Sequence, residues 1–246
     1  MIVEETMEKL RLMKFHGMLS ALEQQMAQPE MAALSFEDRF GMLLDAEWSY
    51  RENRKLHNRL RRASFRIQDA SVEQIDYQIP RKLKKAVVLR LTNSDWVAKH
   101  QNLIITGPTG IGKSYLACAL AQKACRDGYT AFYTRLSRIL YELSICRADG
   151  SYGAKLQKLA KIQILILDDW GLTELKSQER HDLLELLEDR HNVSSTVITS
   201  QMPISKWYDN IGDPTMADAI CDRVIHNAHK IELDGDSVRK KKGKVD

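Results

Sequence analysis

Apolar and polar positions change rhythm once along this chain, near residue 100. Before that point apolar residues recur at intervals of three and four. Beyond it, short apolar runs alternate with longer helical stretches. In "SFEDRFGMLLDAEW", Ser35 and Asp38 have the spacing of a helix-start cap, and Phe36, Phe40, Leu43, Leu44 and Trp48 follow at helical period. A helix running on through Arg62 would place Leu56, Leu60 and Ala63 on one stripe and Arg51, Lys55, Arg59 and Arg62 on a neighbouring one. Pro80 is expected to start another helical stretch, and "TNSDW" at 92–96 reads as a break.

From residue 102 the reading is strand and helix in turn. "NLIIT" (102–106), "TAFYT" (130–134), "IQILIL" (162–167), "STVITS" (195–200) and "HKIEL" (229–233) read as strands. Helices are expected over 113–126, with Gly128 just past the end, near 137–147 and 152–160, and over 177–191. Strands alternating with helices predict an α/β domain with a mainly parallel sheet. The division expected is a small all-helical N-terminal domain, 1–70, and an α/β domain, 71–246.

Composition changes this picture little. Of 246 residues, 43% are hydrophobic and 28% charged, as in ordinary globular chains. No apolar run is long enough to span a membrane, and "MIVEETMEKL" lacks the pattern of a secretory signal. The four cysteines form no CxxC pair, which argues against a zinc ribbon. Cys118 and Cys125, seven apart on a helix, read as small core residues. A reducing, cytoplasmic setting is expected.

Charge matters more. The net charge is only +4, yet bases cluster at 51–66, at 81–90 and in the tail "VRKKKGKVD". Such clusters suit a polyanion, or simply a solvated helix face. No base-reading motif is evident.

The chemistry concentrates in "GPTGIGKS", Gly107 to Ser114. Gly107, four residues, Gly112, Lys113, Ser114 is the spacing of a phosphate-binding loop between strand and helix. Glycines let main-chain N–H groups close on phosphate oxygens, and the helix start adds a positive end. Gly107, Pro108, Thr109, Gly110, Ile111, Gly112, Lys113, Ser114 and Tyr115 are therefore expected to bind nucleotide. Lys113 would bridge the β- and γ-phosphates of ATP, and Ser114 would offer its hydroxyl to Mg²⁺. In "ILILDDWG" an apolar strand ends in two carboxylates. Asp168 is expected to serve Mg²⁺ and Asp169 to polarise the attacking water. The end of "STVITSQ" could present Thr199, Ser200 or Gln201 to the γ-phosphate. Trp170 and Tyr77 read as packing residues.

"GPTGIGKSYLACAL", "ILILDDWGL", "LLEDRHNVSSTVITSQMP", "DPTMADAICDRVIHNAHKIEL" and "GDSVRK" together resemble the IstB family, as do "LRLMKFHGMLSAL" and "LSFEDRFGMLLDAEWSYRENRKLHNRLRRASF" near the start. These are AAA+ ATPases of the P-loop (ASCE) class that help transposases of bacterial insertion sequences, and they are related to DnaC-type helicase loaders. The resemblance implies ATP hydrolysis, homo-oligomeric assembly on duplex DNA with little sequence preference, and a cognate transposase as partner, with no membrane. It also implies Gln201 as first sensor, Arg223 as an arginine finger acting on a neighbouring subunit, and Arg239 as second sensor. The helical N-terminal part would contact DNA or transposase. DNA contacts are expected at Arg51, Lys55, Arg59 and Arg62, and at Arg147, Lys155 and Lys158.

The chain departs from the common AAA+ pattern at three points. Asp169 stands where many members have Glu, Gln201 where many have Asn, and little sequence follows Arg239 to build a helical lid. A helicase loader, a small-molecule P-loop kinase and a DNA-binding scaffold with a dead nucleotide site are the other readings.

Overall fold

A computed structural model describes residues 2–238, and these divide into two compact units, one ending at Asn58 and the other beginning at Arg59. The first unit contains α1 (Ile2–Leu12), α2 (His16–Ala27), a short 3₁₀ turn (Pro29–Ala33) and most of α3 (Phe36–Ala63). Ser35 caps α3 as expected: its hydroxyl accepts the Asp38 amide at 3.1 Å and donates to the Asp38 carboxylate at 2.7 Å. Helix α2 meets α3 at Gly17, where an added Cβ would lie 2.5 Å from the Ala46 carbonyl oxygen. Beside this contact the buried Glu47 accepts the Gly17 and Met18 amides at 2.8 and 3.2 Å, satisfying orphan donors at the start of α2 from another helix.

The boundary falls inside α3, twelve residues earlier than the sequence pattern suggested. Residues 59–70 belong with the second unit because they bond to it. Arg59 Nε donates to the Cys125 carbonyl at 2.9 Å, and Gln122 Nε2 donates to the carbonyls of Ile67 and Gln68 at 3.2 and 2.8 Å. The stretch after Pro80 is also corrected. Helix α4 begins only at Lys85 (Lys85–Leu91), because Lys82 has φ +55° and Arg81 is bonded into the neighbouring loop. After the break at 92–94 comes α5 (Asp95–Ala98).

The rest alternates: β1 (Asn102–Thr106), α6 (Lys113–Arg126), β2 (Ala131–Arg135), α7 (Leu136–Asp149), α8 (Tyr152–Ala160), β3 (Ile164–Trp170), α9 (Ser177–Glu188), β4 (Ser195–Ser200), α10 (Trp207–Ile211), α11 (Pro214–Ile225) and β5 (Ala228–Glu232). All strand pairs are parallel, in the order β2-β3-β4-β1-β5. Central strands are covered on both faces, so β1 and β4 are buried at every position, the polar Ser195, Thr196, Thr199 and Ser200 of β4 included. One face packs Ile104, Leu165, Leu167 and Ile198 against leucines of α7, α8 and α9 and against Ile220 and Val224 of α11. Trp170 and Trp207 lie in this layer with ring centroids 5.0 Å apart, so Trp170 is a packing residue. Cys118 and Cys125 of α6 are fully buried and unbridged. From β1 the chain crosses to the far edge, β2, and works back. The loop after β1 therefore opens where the strand order reverses, at the carboxyl edge of the sheet.

Candidate nucleotide site

Strand β1 delivers the chain into loop 107–112, and α6 begins at Lys113. Gly107 and Gly112 have φ of +145° and +102°, conformations that L side chains rarely adopt. Space is closed as well: a Cβ on Gly112 would lie 2.6 Å from Arg81 Nη1, and one on Gly107 would collide with the Leu233 carbonyl. Lys113 is buried, and its ammonium donates to the carbonyls of Gly107 and Pro108 at 2.7 and 2.9 Å. Thr109 Oγ1 donates to Gln201 Oε1 at 2.6 Å, so the residue just past β4 touches the loop directly. Tyr115 anchors the first turn of α6 to the preceding linker: its hydroxyl donates to the Ser71 carbonyl at 3.2 Å. The backbone beyond β5 also returns here, with the Val238 amide donating to the Gly110 carbonyl at 3.0 Å.

Arg81 braces the loop. Its Nη1 donates to the Ile111 carbonyl at 3.1 Å and its Nη2 to the Asp76 carbonyl at 3.0 Å, while the buried Nε has no protein partner among the described residues. Burial lowers the guanidinium pKa from its ordinary value.

Across the sheet edge lie the two carboxylates. Asp168 is wholly buried, and Ser114 Oγ stands 2.8 and 3.0 Å from its two oxygens. The hydroxyls of Tyr133, from β2, and Thr199, from β4, also donate to it, and Arg66 Nη1 lies 3.4 Å away. A buried carboxylate is tolerable only with donors of this kind around it. Burial and the adjacent Asp168 push the Tyr133 phenol pKa up, so the phenol stays a donor.

Asp169 takes a different course. Its φ is +63°, and the β3–β4 register shifts between Leu167 and Trp170. This bulge turns the carboxylate away from the strand, as bulges beside reactive sites commonly do. It remains partly exposed, 3.5 Å from Arg135 Nε and 4.0 Å from Arg66 Nη1.

The Ser114 hydroxyl and the Asp168 carboxylate form an all-oxygen, hard donor pair. Among the described residues no group of three or more His, Cys, Asp or Glu could cage a metal. Magnesium fits such a pair, because it is commonly held by one or two carboxylates with phosphates and waters completing its shell.

Loop, Lys113, Ser114, Asp168, Asp169 and Gln201 thus converge. Arg223 does not join them. It sits on α11, its Nε 2.5 Å from Glu188 and its Nη1 2.6 Å from Asp222. Its carbonyl accepts Asn102 Nδ2 at 3.1 Å, at the start of β1 and so at the sheet edge opposite the loop. Arg239 lies outside the described residues.

Most of the expected DNA residues have partners within their own unit. Arg51 pairs with Glu47 at 2.6 Å, Lys55 with Glu52 at 2.7 Å and Lys155 with Glu142 at 2.7 Å. Arg147 pairs with the buried Asp182 at 2.7 Å and lies over the Tyr152 ring, and Arg59 donates to a backbone carbonyl. Arg62 and Lys158 are exposed.

Arg66, Arg81, Tyr133 and Arg135 were not legible as site residues. Each lies far from the loop or the acid pair in sequence and carries no local signature.

A family model described as IstB-like ATP binding protein matches residues 7–245. An insertion sequence ATP-binding protein of Sinorhizobium fredii is 48% identical over 240 residues, 98% of each chain. Among solved structures, the DnaC helicase loader superposes with a TM-score of 0.55 at 17% identity, covering 67% of this chain and 97% of that one. AMPPCP-bound DnaA from Aquifex aeolicus gives 0.57 at 16%, covering 70% and 54%. The α/β sheet is therefore the AAA+ P-loop fold with helices before it, and no helix among the described residues is long and apolar enough to cross a membrane. With its loop, its acid pair and a match along nearly its whole length, the chain belongs to the family of IstB-like ATP binding proteins.

Proposed function

We propose that this protein hydrolyses ATP, assembles in several copies on duplex DNA, and stimulates or directs the transposase of its insertion sequence. The observation carrying the ATPase reading is the Ser114–Asp168 contact at 2.8 Å, which joins the loop hydroxyl to the strand acid. Amides of the loop and the start of α6 would hold the phosphates. Lys113 would exchange the carbonyls of Gly107 and Pro108 for phosphate oxygens. Bound Mg²⁺ would neutralise charge on the β- and γ-phosphates. Asp169, turned out of the strand by the bulge, would orient the attacking water, and Gln201 would sense the γ-phosphate from the loop's rim.

Arg223 would act in trans. Its backbone is tied to Asn102, and the loop follows Thr106 at the other end of β1. Four residue steps of strand separate them by about 13 Å. A guanidinium anchored at that edge is out of reach of its own nucleotide and available to a neighbour's. Arginine supplied in this way contributes about 10³–10⁵ in rate in related chemistry. The insertion-sequence relative supports the link to transposition, and DNA would be bound through phosphates by the exposed basic residues.

The test is Mg²⁺-dependent ATP hydrolysis with and without duplex DNA, followed by affinity capture with transposase and with replicative helicase as baits. DNA-stimulated turnover and transposase capture are expected. Absence of hydrolysis would reduce the protein to a scaffold. Capture of helicase alone would make it a loader, and phosphate transfer to a small acceptor would make it a kinase.

A further inference from the structure

We infer that Glu188 is a positioning residue that holds Arg223 in the orientation from which its guanidinium serves a neighbouring copy's nucleotide. The inference rests on the trans-acting reading of Arg223 above.

Arg223 is fixed at four points although it lies at the surface. Its carbonyl accepts Asn102 Nδ2 at 3.1 Å and contacts His191 Nδ1 at 3.4 Å. Its side chain is bound by Glu188 through Nε at 2.5 Å and by Asp222 through Nη1 at 2.6 Å. The Nη2 edge makes no hydrogen bond among the described residues. Glu188 ends α9 and Arg223 lies in the last turn of α11, and these helices pack through Leu183, Leu187, Ile220 and Val224 in one core. The clamp is therefore carried by rigid elements.

Stability does not explain it. The two carboxylates are about half exposed, at 55% and 50%, and exposed ion pairs contribute little. Two acids converge on one arginine, so each also repels the other. What the arrangement accomplishes is geometric. A free arginine loses rotamer freedom when it meets a phosphate, whereas one already clamped through Nε and Nη1 has lost it beforehand and presents its remaining edge. Glu188 contributes the Nε contact from a second helix, which Asp222, the neighbour of Arg223 in sequence, cannot do.

Three variants decide the matter: Glu188→Ala, Glu188→Gln and Arg223→Gln, each assayed for turnover at saturating ATP, DNA and protein, for affinity toward a fluorescent ATP analogue, and for thermal midpoint. Glu188→Ala is expected to lower kcat by up to about a hundredfold, the effect of a misplaced catalytic group, with nucleotide affinity and midpoint unchanged. Glu188→Gln keeps one acceptor and should recover part of the rate. Full turnover by Glu188→Ala beside an inactive Arg223→Gln would overturn the role of Glu188 and leave the trans reading standing. Full turnover by Arg223→Gln would remove the trans reading itself. A lowered midpoint or lost affinity in Glu188→Ala, without rescue by Gln, would make the residue merely structural and also sink the proposal.

Discussion

Asp168 is sealed from solvent among three hydroxyls, while Asp169, one residue on, keeps a quarter of its side chain exposed between two arginines. The bulge in β3 produces this split, because it breaks the alternation that would otherwise fix where each acid points. The donors around Asp168 are testable one at a time. Tyr133→Phe removes a hydroxyl from a buried carboxylate, which should cost about 1.5–3 kcal/mol of stability. Urea unfolding should show a lower midpoint at unchanged slope. Lys113→Ala removes an ammonium proposed to make two charge-assisted bonds to phosphate. At about 1.5–3 kcal/mol each, ATP affinity should fall by at least a hundredfold, measured by titration with a fluorescent analogue. Undiminished binding would refute the loop assignment.

At the scale of elements, two buried charged side chains substitute for local caps and turns. Glu47 of α3 closes the start of α2, where Phe15 offers no side-chain cap. Burial alone would raise its pKa, but Arg51 and the Met18 and Gly17 amides outweigh burial and hold it below the usual carboxylate value. A depressed folded-state pKa stabilises above the ordinary value and is lost as pH falls through the folded one. Acid should therefore loosen the N-terminal helices, and Glu47→Gln should remove that part of the pH dependence in helicity-monitored titrations.

Arg190 does similar work beneath the sheet. Fully buried, it donates to the carbonyls of Leu159, Ile162 and Ser195 and to Thr196 Oγ1, joining the end of α8 to the starts of β3 and β4. Arg190→Met should destabilise by at least about 3 kcal/mol, since several buried acceptors lose their donor together. A thermal midpoint unchanged from wild type would contradict this.

For the whole molecule, assembly is where the proposed function is decided. If Arg223 completes a neighbour's site, specific ATPase activity should rise with protein concentration, and Arg223→Gln should flatten that rise while leaving ATP binding intact. Phosphate-directed DNA binding should weaken steeply with salt and vary little with sequence. Each phosphate neutralised on duplex DNA contributes roughly 0.9 to the slope of log affinity against log salt. Arg62 and Lys158, which are exposed, should each lower that slope when replaced by Ala. The paired Arg147 should instead lower stability, because its loss leaves the buried Asp182 without its cation.

Local signals were enough for the loop, the acid pair, the five strands and the start of α3, because each depends on the properties of a few consecutive residues: glycine's freedom of φ, short stretches rich in apolar or β-branched residues, a hydroxyl three residues before a donor amide. The same was true of Cys118, Cys125 and Trp170 as core. Only the tertiary structure could bring Arg66, Tyr133 and Thr199 onto Asp168, place Arg135 beside Asp169, and brace the loop with Arg81. It alone assigned residues 59–70 to the second unit, delayed α4 to Lys85, and set Arg223 at the far edge of the sheet between Glu188 and Asp222. A parallel sheet joins strands distant in the chain, so the partners of a strand-end carboxylate come from separate segments whose meeting no local pattern records.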